Sequence, residues 1–273
     1  MKTRFALTLM ALLPILVACK AQDGSSDTAP APAPAAETAT APAATPATDA
    51  AAPPAVGESA NAPATDTAAA PPAPAPRAPN GPEPVAGTDY LDIEGGQPYQ
   101  QAAGKIEVAE VFGYVCPACN AFQPLIGPWK AGLPSDVHFV YVPAMFGGPW
   151  DDYARAFHAA ETLGVQEKTH DALYKAIHVD QSLKGERGKD SVQDIAGFYA
   201  KYGVDSKTFI DTMSSFGVSA KTNRAKQFAT RSKITGTPSL IVNGKYLVKG
   251  QSFPDMLRIA DHLIARERAT LAK

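Results

Sequence analysis

Residues 106 to 119 run Ile-Glu-Val-Ala-Glu-Val-Phe-Gly-Tyr-Val-Cys-Pro-Ala-Cys, and the reading of this stretch decides the fold. Ile106 to Val115 is a nearly continuous apolar run, the pattern of a strand buried on both faces in a sheet covered by helices. Pro117 should open a helix, because first-turn N–H groups lack intrahelical partners and a proline there sacrifices nothing. Cys116 then stands at the helix N-terminus. Unpaired N–H groups and the positive end of the helix dipole favour a thiolate there over a thiol, and the thiolate is the reactive form. Cys119, one turn further in, should be shielded and serve as resolving partner. Two thiols so placed can store and release two electrons as a disulfide.

Two other uses of Cys116-Pro117-Ala118-Cys119 compete. A purely structural bridge closing about four residues gains only roughly 2 kcal/mol in the loop-entropy view, against roughly 4.7 for a loop of about 100 residues. A zinc site needs a second pair of ligands, and the chain has neither a second Cys-x-x-Cys nor a His-x₃₋₅-His.

Working outward, the chain has 273 residues and a formal charge of −2, so its overall balance points to neither a nucleic-acid nor an anionic-membrane partner. Lys2 and Arg4 precede the apolar run Phe5 to Val17, the layout of an export signal that is too short to span a bilayer. It closes on Leu16-Val17-Ala18-Cys19, which resembles the bacterial lipobox. That resemblance implies lipid on Cys19 and cleavage before it; the alternative is an ordinary signal peptide with a cysteine near its end. Residues 1–18 are therefore expected to be a lipoprotein signal peptide. Residues 19–88, dominated by Ala, Pro and Thr, cannot bury enough apolar surface to offset chain entropy and are expected to be a disordered tether. At roughly 3.1 Å per residue, some 65 such residues reach at most about 200 Å. Of three cysteines, one serves the anchor and two the redox pair, in an exported and oxidising setting.

Residues 89–273 are expected to form one domain. A helix should run from Pro117 to about Lys130, kinked at Pro124 and stopping before or soon after Pro128. Val137 to Val142 is a second buried strand. Helical periodicity over 152–163, 167–178, 191–202 and 206–214 gives an inserted all-helical block at about 150–215. A further helix spans about 219–232, basic on its outer face. Ser239 to Val242, Asn243-Gly244 and Lys245 to Val248 form a hairpin with a type I′ turn, and a last helix runs from about Phe253 to Arg268.

This succession, with Cys-Pro-x-Cys at a helix start and Gly236-Thr237-Pro238 before a hairpin, resembles the DsbA family: an α/β thioredoxin-like fold with a helical insertion, here over about residues 90–270. The resemblance implies that Pro238 is cis and lies against the Cys116–Cys119 disulfide, the alternative being an ordinary trans proline opening an edge strand. Thr237 would bind substrate through its backbone as an added strand. Glu110 resembles the family's buried acid, a proton relay to Cys119 with a pKa raised by desolvation, or else a structural acid. The lysine that often accompanies this acid on the neighbouring strand is missing, since Val137 to Val142 supplies only His138. Ala118 replaces a histidine of the strongly oxidising members, so one contributor to the Cys116 thiolate is lost. Between reference potentials of about −120 mV for DsbA and about −270 mV for thioredoxin, an intermediate value follows.

The implied activity is a periplasmic thiol:disulfide oxidoreductase that introduces disulfides into unfolded exported proteins and is reoxidised by a DsbB-like membrane quinone reductase. The protein is expected to be a monomer without metal or organic cofactor. A reductase or isomerase kept reduced by an electron donor is the alternative within the fold; a tethered binding or chaperone module that uses its groove without turnover is the alternative outside it. The absence of an acid after Cys19, where Lys20 and Ala21 stand, points to the outer rather than the inner membrane. The five histidines form no ligand pattern, and most are expected at helix surfaces or partly buried. Trp129, Trp150, Phe112 and Tyr114 are expected to line the core or a groove.

Overall fold

The computed structural model describes Ala75 and residues 78–271. The export signal, Cys19 and nearly all of the Ala/Pro-rich segment lie outside the described residues. No helix among the described residues is long and apolar enough to cross a membrane.

In chain order the elements are β1 (Tyr90–Asp92), β2 (Ile106–Phe112), α1 (Pro117–Ala131), β3 (Val137–Pro143), α2 (Pro149–Thr162), α3 (Gln166–His178), α4 (Val192–Ala200), α5 (Ser206–Met213), α6 (Phe216–Arg231), β4 (Ser239–Val242), β5 (Tyr246–Val248) and α7 (Phe253–Leu271). The five strands make one sheet in the order β1-β5-β4-β2-β3. β2 runs parallel to β3, with Glu110 opposite Tyr141, and antiparallel to β4, with Glu110 opposite Leu240. The β4–β5 hairpin turns through Asn243 and Gly244, both at positive φ (51° and 68°) as a type I′ turn requires.

β2 is buried at every residue because its two faces meet different helices. Ile106 and Val108 pack with Phe122 and Ile126 of α1 and Ile259 and Leu263 of α7. Ala109 and Val111 pack with Ala225 and Phe228 of α6. From the last residue of β2 onward, Phe112, Tyr114 and Val115 join both redox cysteines in a cluster with Phe157, Leu173, Tyr174 and Tyr199 of the inserted helices. The insertion thus closes over the end of β2 that carries Cys116.

α1 ends at Ala131, soon after Pro128 and within a residue of the expected end, and burial of Phe122 and Ile126 with the Trp129 Nε1–H bond to Asp261 (2.9 Å) holds its last turn. One expectation is corrected. The packed chain starts before residue 89: Pro84 is buried, the α7 residue Arg258 donates to the Pro82 carbonyl, and His262 of α7 meets the Asn80 carbonyl at 3.0 Å. Two histidines, His158 and His170, are fully buried.

Candidate active site

Cys116 is the N-cap of α1, with φ −77° and ψ 116°, and Pro117 is the first helical residue. Its amide donates to the Gly113 carbonyl (3.1 Å), which fixes the turn out of β2. Gly113 is required: a Cβ there would lie 2.2 Å from the indole of Trp150. Cys116 Sγ accepts from the Cys119 amide at 3.2 Å and from the Thr237 hydroxyl at 3.2 Å. Sγ also lies 3.6 Å from the Thr237 carbonyl. The Thr237–Pro238 peptide is cis. The chain thus places Thr237 and Pro238, some 120 residues downstream, directly against the first thiol, while Pro117 and Ala118 are exposed beside it.

Both cysteines are free thiols here, and their environments differ. The Cys119 thiol, the Thr237 hydroxyl and the backbone N–H groups of Cys119 and Ala118 all favour the Cys116 thiolate; against the opposing effect of burial they hold its pKa down to about 6. Cys119 has no exposed surface. Burial first, then donation to the Cys116 sulfur, pushes its thiol far above the ordinary range. One sulfur is ready to exchange and its neighbour is held as a thiol, the division of labour expected of a nucleophile and a resolving partner.

Glu110 of β2 is wholly buried, its charge acts on Cys119, and among the described residues neither of its carboxylate oxygens has a hydrogen-bond partner. Desolvation raises its pKa to about 8, opposed by the Lys130 charge and reinforced by the Cys116 thiolate. The cation missing from β3 therefore comes from the end of α1: the Lys130 ammonium donates to the Tyr141 hydroxyl at 3.2 Å and sits 4.8 Å from that ring. Tyr141 is the β3 partner of Glu110. His170 stacks on Tyr141 with centroids 4.2 Å apart, and burial lowers its pKa to about 3, so it stays neutral.

Sequence patterning missed three buried acids, Glu107, Asp190 and Glu267; Glu107 lies on the opposite face of β2, where it accepts from the Tyr99 and Gln100 amides at 2.6 and 2.5 Å. For Glu107 a charged residue in an apolar run was the available signal. It serves as a local clasp for the chain entering β2, away from the thiols. No group of His, Cys, Asp and Glu among the described residues is arranged to hold a metal.

The same architecture and sequence recur in known proteins. Thiol:disulfide interchange protein DsbA of Pseudomonas aeruginosa is 39% identical over 191 residues, covering 69% of this chain and 88% of that protein. The protein of the same name from Pseudomonas syringae is 42% identical over 187 residues, covering 67% and 85%. The chain belongs to the DsbA family. The family profile described as a DSBA-like thioredoxin domain matches residues 135–260. The crystal structure of oxidoreductase DsbA from Xylella fastidiosa superposes with a TM-score of 0.66 at 44% identity, over 68% of this chain and 98% of that one. As a DsbA-family member the chain is a thiol:disulfide oxidoreductase with the thioredoxin-like fold.

Proposed function

We propose that the protein uses a Cys116–Cys119 disulfide to oxidise pairs of thiols in newly exported, unfolded polypeptides. A substrate thiolate attacks Cys116 Sγ, forming a mixed disulfide and expelling Cys119 as a thiolate, which takes a proton from Glu110. The second substrate thiolate attacks the substrate sulfur of the mixed disulfide and expels Cys116, leaving the substrate oxidised and the protein a dithiol. Cys116 is the better of the two leaving groups because hydroxyl and amide donors already surround its sulfur. Thr237 and Pro238 border that sulfur, where an extended substrate would pair with the Thr237 backbone. The observation that carries the reading is geometric: two thiols one turn apart, the first accepting from an amide and the Thr237 hydroxyl beside the cis Pro238, the second wholly buried.

The oxidised protein mixed with a dithiol peptide is expected to yield peptide disulfide and protein dithiol in equal amounts, and Cys116→Ser none. Absence of exchange by the unaltered protein sinks the proposal. The potential, from equilibration with glutathione, is expected between those of DsbA and thioredoxin, about −120 and −270 mV. Ala118→His should raise it by about 30 to 60 mV, since roughly 30 mV corresponds to 1.4 kcal/mol of preference for the reduced pair. A potential near −120 mV with Ala118 in place contradicts this weighting.

The setting we propose is the periplasm of a Gram-negative bacterium, with a lipid on Cys19 holding the protein to a membrane, the outer one on the residues that follow. Reoxidation would come from a DsbB-like quinone reductase. Support is the lipobox-like Leu16 to Cys19 and the long Ala/Pro-rich stretch after it. Labelled palmitate should be incorporated by the intact chain and not by Cys19→Ala. Equal labelling of the two, or none in either, rules the anchor out.

A further inference from the structure

Beside the thiols lies a group of side chains that the exchange reaction does not use. Phe146, 46% exposed in the loop after β3, packs on Trp150 at the start of α2 with ring centroids 4.9 Å apart. The Trp150 indole N–H donates to the Glu186 carboxylate at 2.7 Å. Glu186 belongs to a single 3₁₀ turn, Gly185–Arg187, in the connection between α3 and α4.

Two close approaches place this pair at the rim of the active site. The Trp150 ring covers Gly113, and a Cβ on Gly185 would meet Val115, the residue before Cys116, at 3.6 Å. The shelf of Phe146, Trp150 and Glu186 therefore flanks the three residues that lead into the reactive cysteine.

No neighbouring cation closes an ion pair with the Glu186 carboxylate among the described residues. The Arg187 guanidinium directs its donors to the carbonyls of Ile177 (2.6 Å) and Leu183 (2.7 Å), and the Lys184 ammonium to that of Lys189 (3.1 Å). The Lys189 charge acts on Asp152, and the Asp151 carboxylate accepts from the Gly147 amide. Among the described residues Glu186 has no ion-pair partner. The exposed Phe146 and the half-buried Trp150, with the exposed Glu186 carboxylate at their edge, offer a flat cation an aromatic surface and a counter-charge together.

We propose that Trp150 and Glu186 form a specificity shelf that favours substrate segments carrying Arg or Lys beside the reacting cysteine. The proposal rests on the disulfide-exchange reading above and names the substrate class of that same site. The substrate cation would stack on Trp150 and pair with Glu186 while its cysteine reaches Cys116.

Three dithiol peptides, identical except for Arg, Gln or Glu next to one cysteine, test it with the full-length oxidised protein. At low salt kcat/KM is expected to be about fivefold to tenfold higher for the Arg than for the Gln peptide, with the Glu peptide lowest. Added salt should compress the series. Glu186→Gln keeps an acceptor for the indole N–H but removes the charge, and is expected to bring the Arg-to-Gln ratio near one; an unshifted Trp fluorescence maximum will show the shelf still assembled. Trp150→Phe should lower the ratio by a smaller factor. Equal rates for the Arg and Gln peptides in the unaltered protein, or a ratio that survives Glu186→Gln, overturns the shelf. Failure to oxidise any of the three peptides overturns the exchange reading instead.

Discussion

Replacing Cys119 is expected to turn a catalyst into a trap. Without the second sulfur no Cys116–Cys119 disulfide can form, so Cys119→Ser should oxidise dithiol peptides only at the uncatalysed background rate. Its Cys116 thiolate remains, and should attack a substrate disulfide to give a mixed disulfide that nothing inside the protein can resolve. Mass spectrometry under non-reducing conditions should find that adduct on Cys119→Ser and not on Cys116→Ser. The pH dependence adds a sharper test, because the largest contribution to the low Cys116 pKa is donation from the Cys119 thiol. Alkylation of the reduced unaltered protein should be half-maximal near pH 6, whereas an ordinary cysteine titrates near about 8.5. A serine hydroxyl can still donate, so Cys119→Ser should keep most of that displacement. Cys119→Ala cannot, and its profile should move towards higher pH. Because the thiolate is favoured in the folded state, its stabilising effect is present above the unfolded pKa and is lost as pH falls through about 6. Identical profiles for the Ser and Ala variants would show that the amides and Thr237 alone hold the thiolate.

How far this site could be foreseen depended on whether its chemistry was local. β2 declared itself because both faces are buried, leaving an apolar run interrupted only by Glu107 and Glu110. Cys116 and Pro117 also follow from neighbours in sequence, since an N-cap and a first-turn proline are matters of single residues. The β4–β5 hairpin was legible in Asn243-Gly244 for the same reason. What could not be read depends on distant partners. Lys130 reaches Tyr141 across the α1–β3 connection, so the charge facing Glu110 was sought on the strand and found on the helix. The bond from Trp150 to Glu186 spans 36 positions and no periodicity announces it. β1 has three residues, two of them exposed, and offers no alternation long enough to register.

The proton-donor role proposed for Glu110 predicts a cost in stability, and removing the carboxyl should show both sides. Among the described residues its carboxyl has no hydrogen-bond partner, and desolvation raises its pKa from 4.5 to about 8 against the pull of Lys130. Between those values the native state keeps a proton that the unfolded chain has lost, so the unfolded state binds fewer protons and stability falls as pH rises. At 1.36 kcal/mol per pH unit the loss reaches about 3 kcal/mol at pH 7. Glu110→Leu fills the site without a carboxyl, and buried charges replaced by apolar side chains are often neutral or stabilising. In a domain of this size the Tm advantage of the variant should grow by about 5 to 10 °C between pH 5 and pH 7, and flatten above pH 8. Lys130→Met removes the one nearby cation that opposes the rise, and should extend the sloping region to higher pH. A Tm difference independent of pH would mean that the carboxyl does not titrate in this window. The cost appears in the exchange reaction. Cys119 must gain a proton as it leaves the disulfide, and the Glu110 carboxyl, whose charge acts on Cys119, is the donor proposed above; losing a general acid typically costs about 10²-fold or more. Glu110→Leu should therefore slow reduction of the protein disulfide by dithiol peptide about a hundredfold at pH 7, with Glu110→Gln close behind. A variant that is more stable and equally fast would make Glu110 a structural acid, and the proton would then have to reach Cys119 along a route that avoids β2.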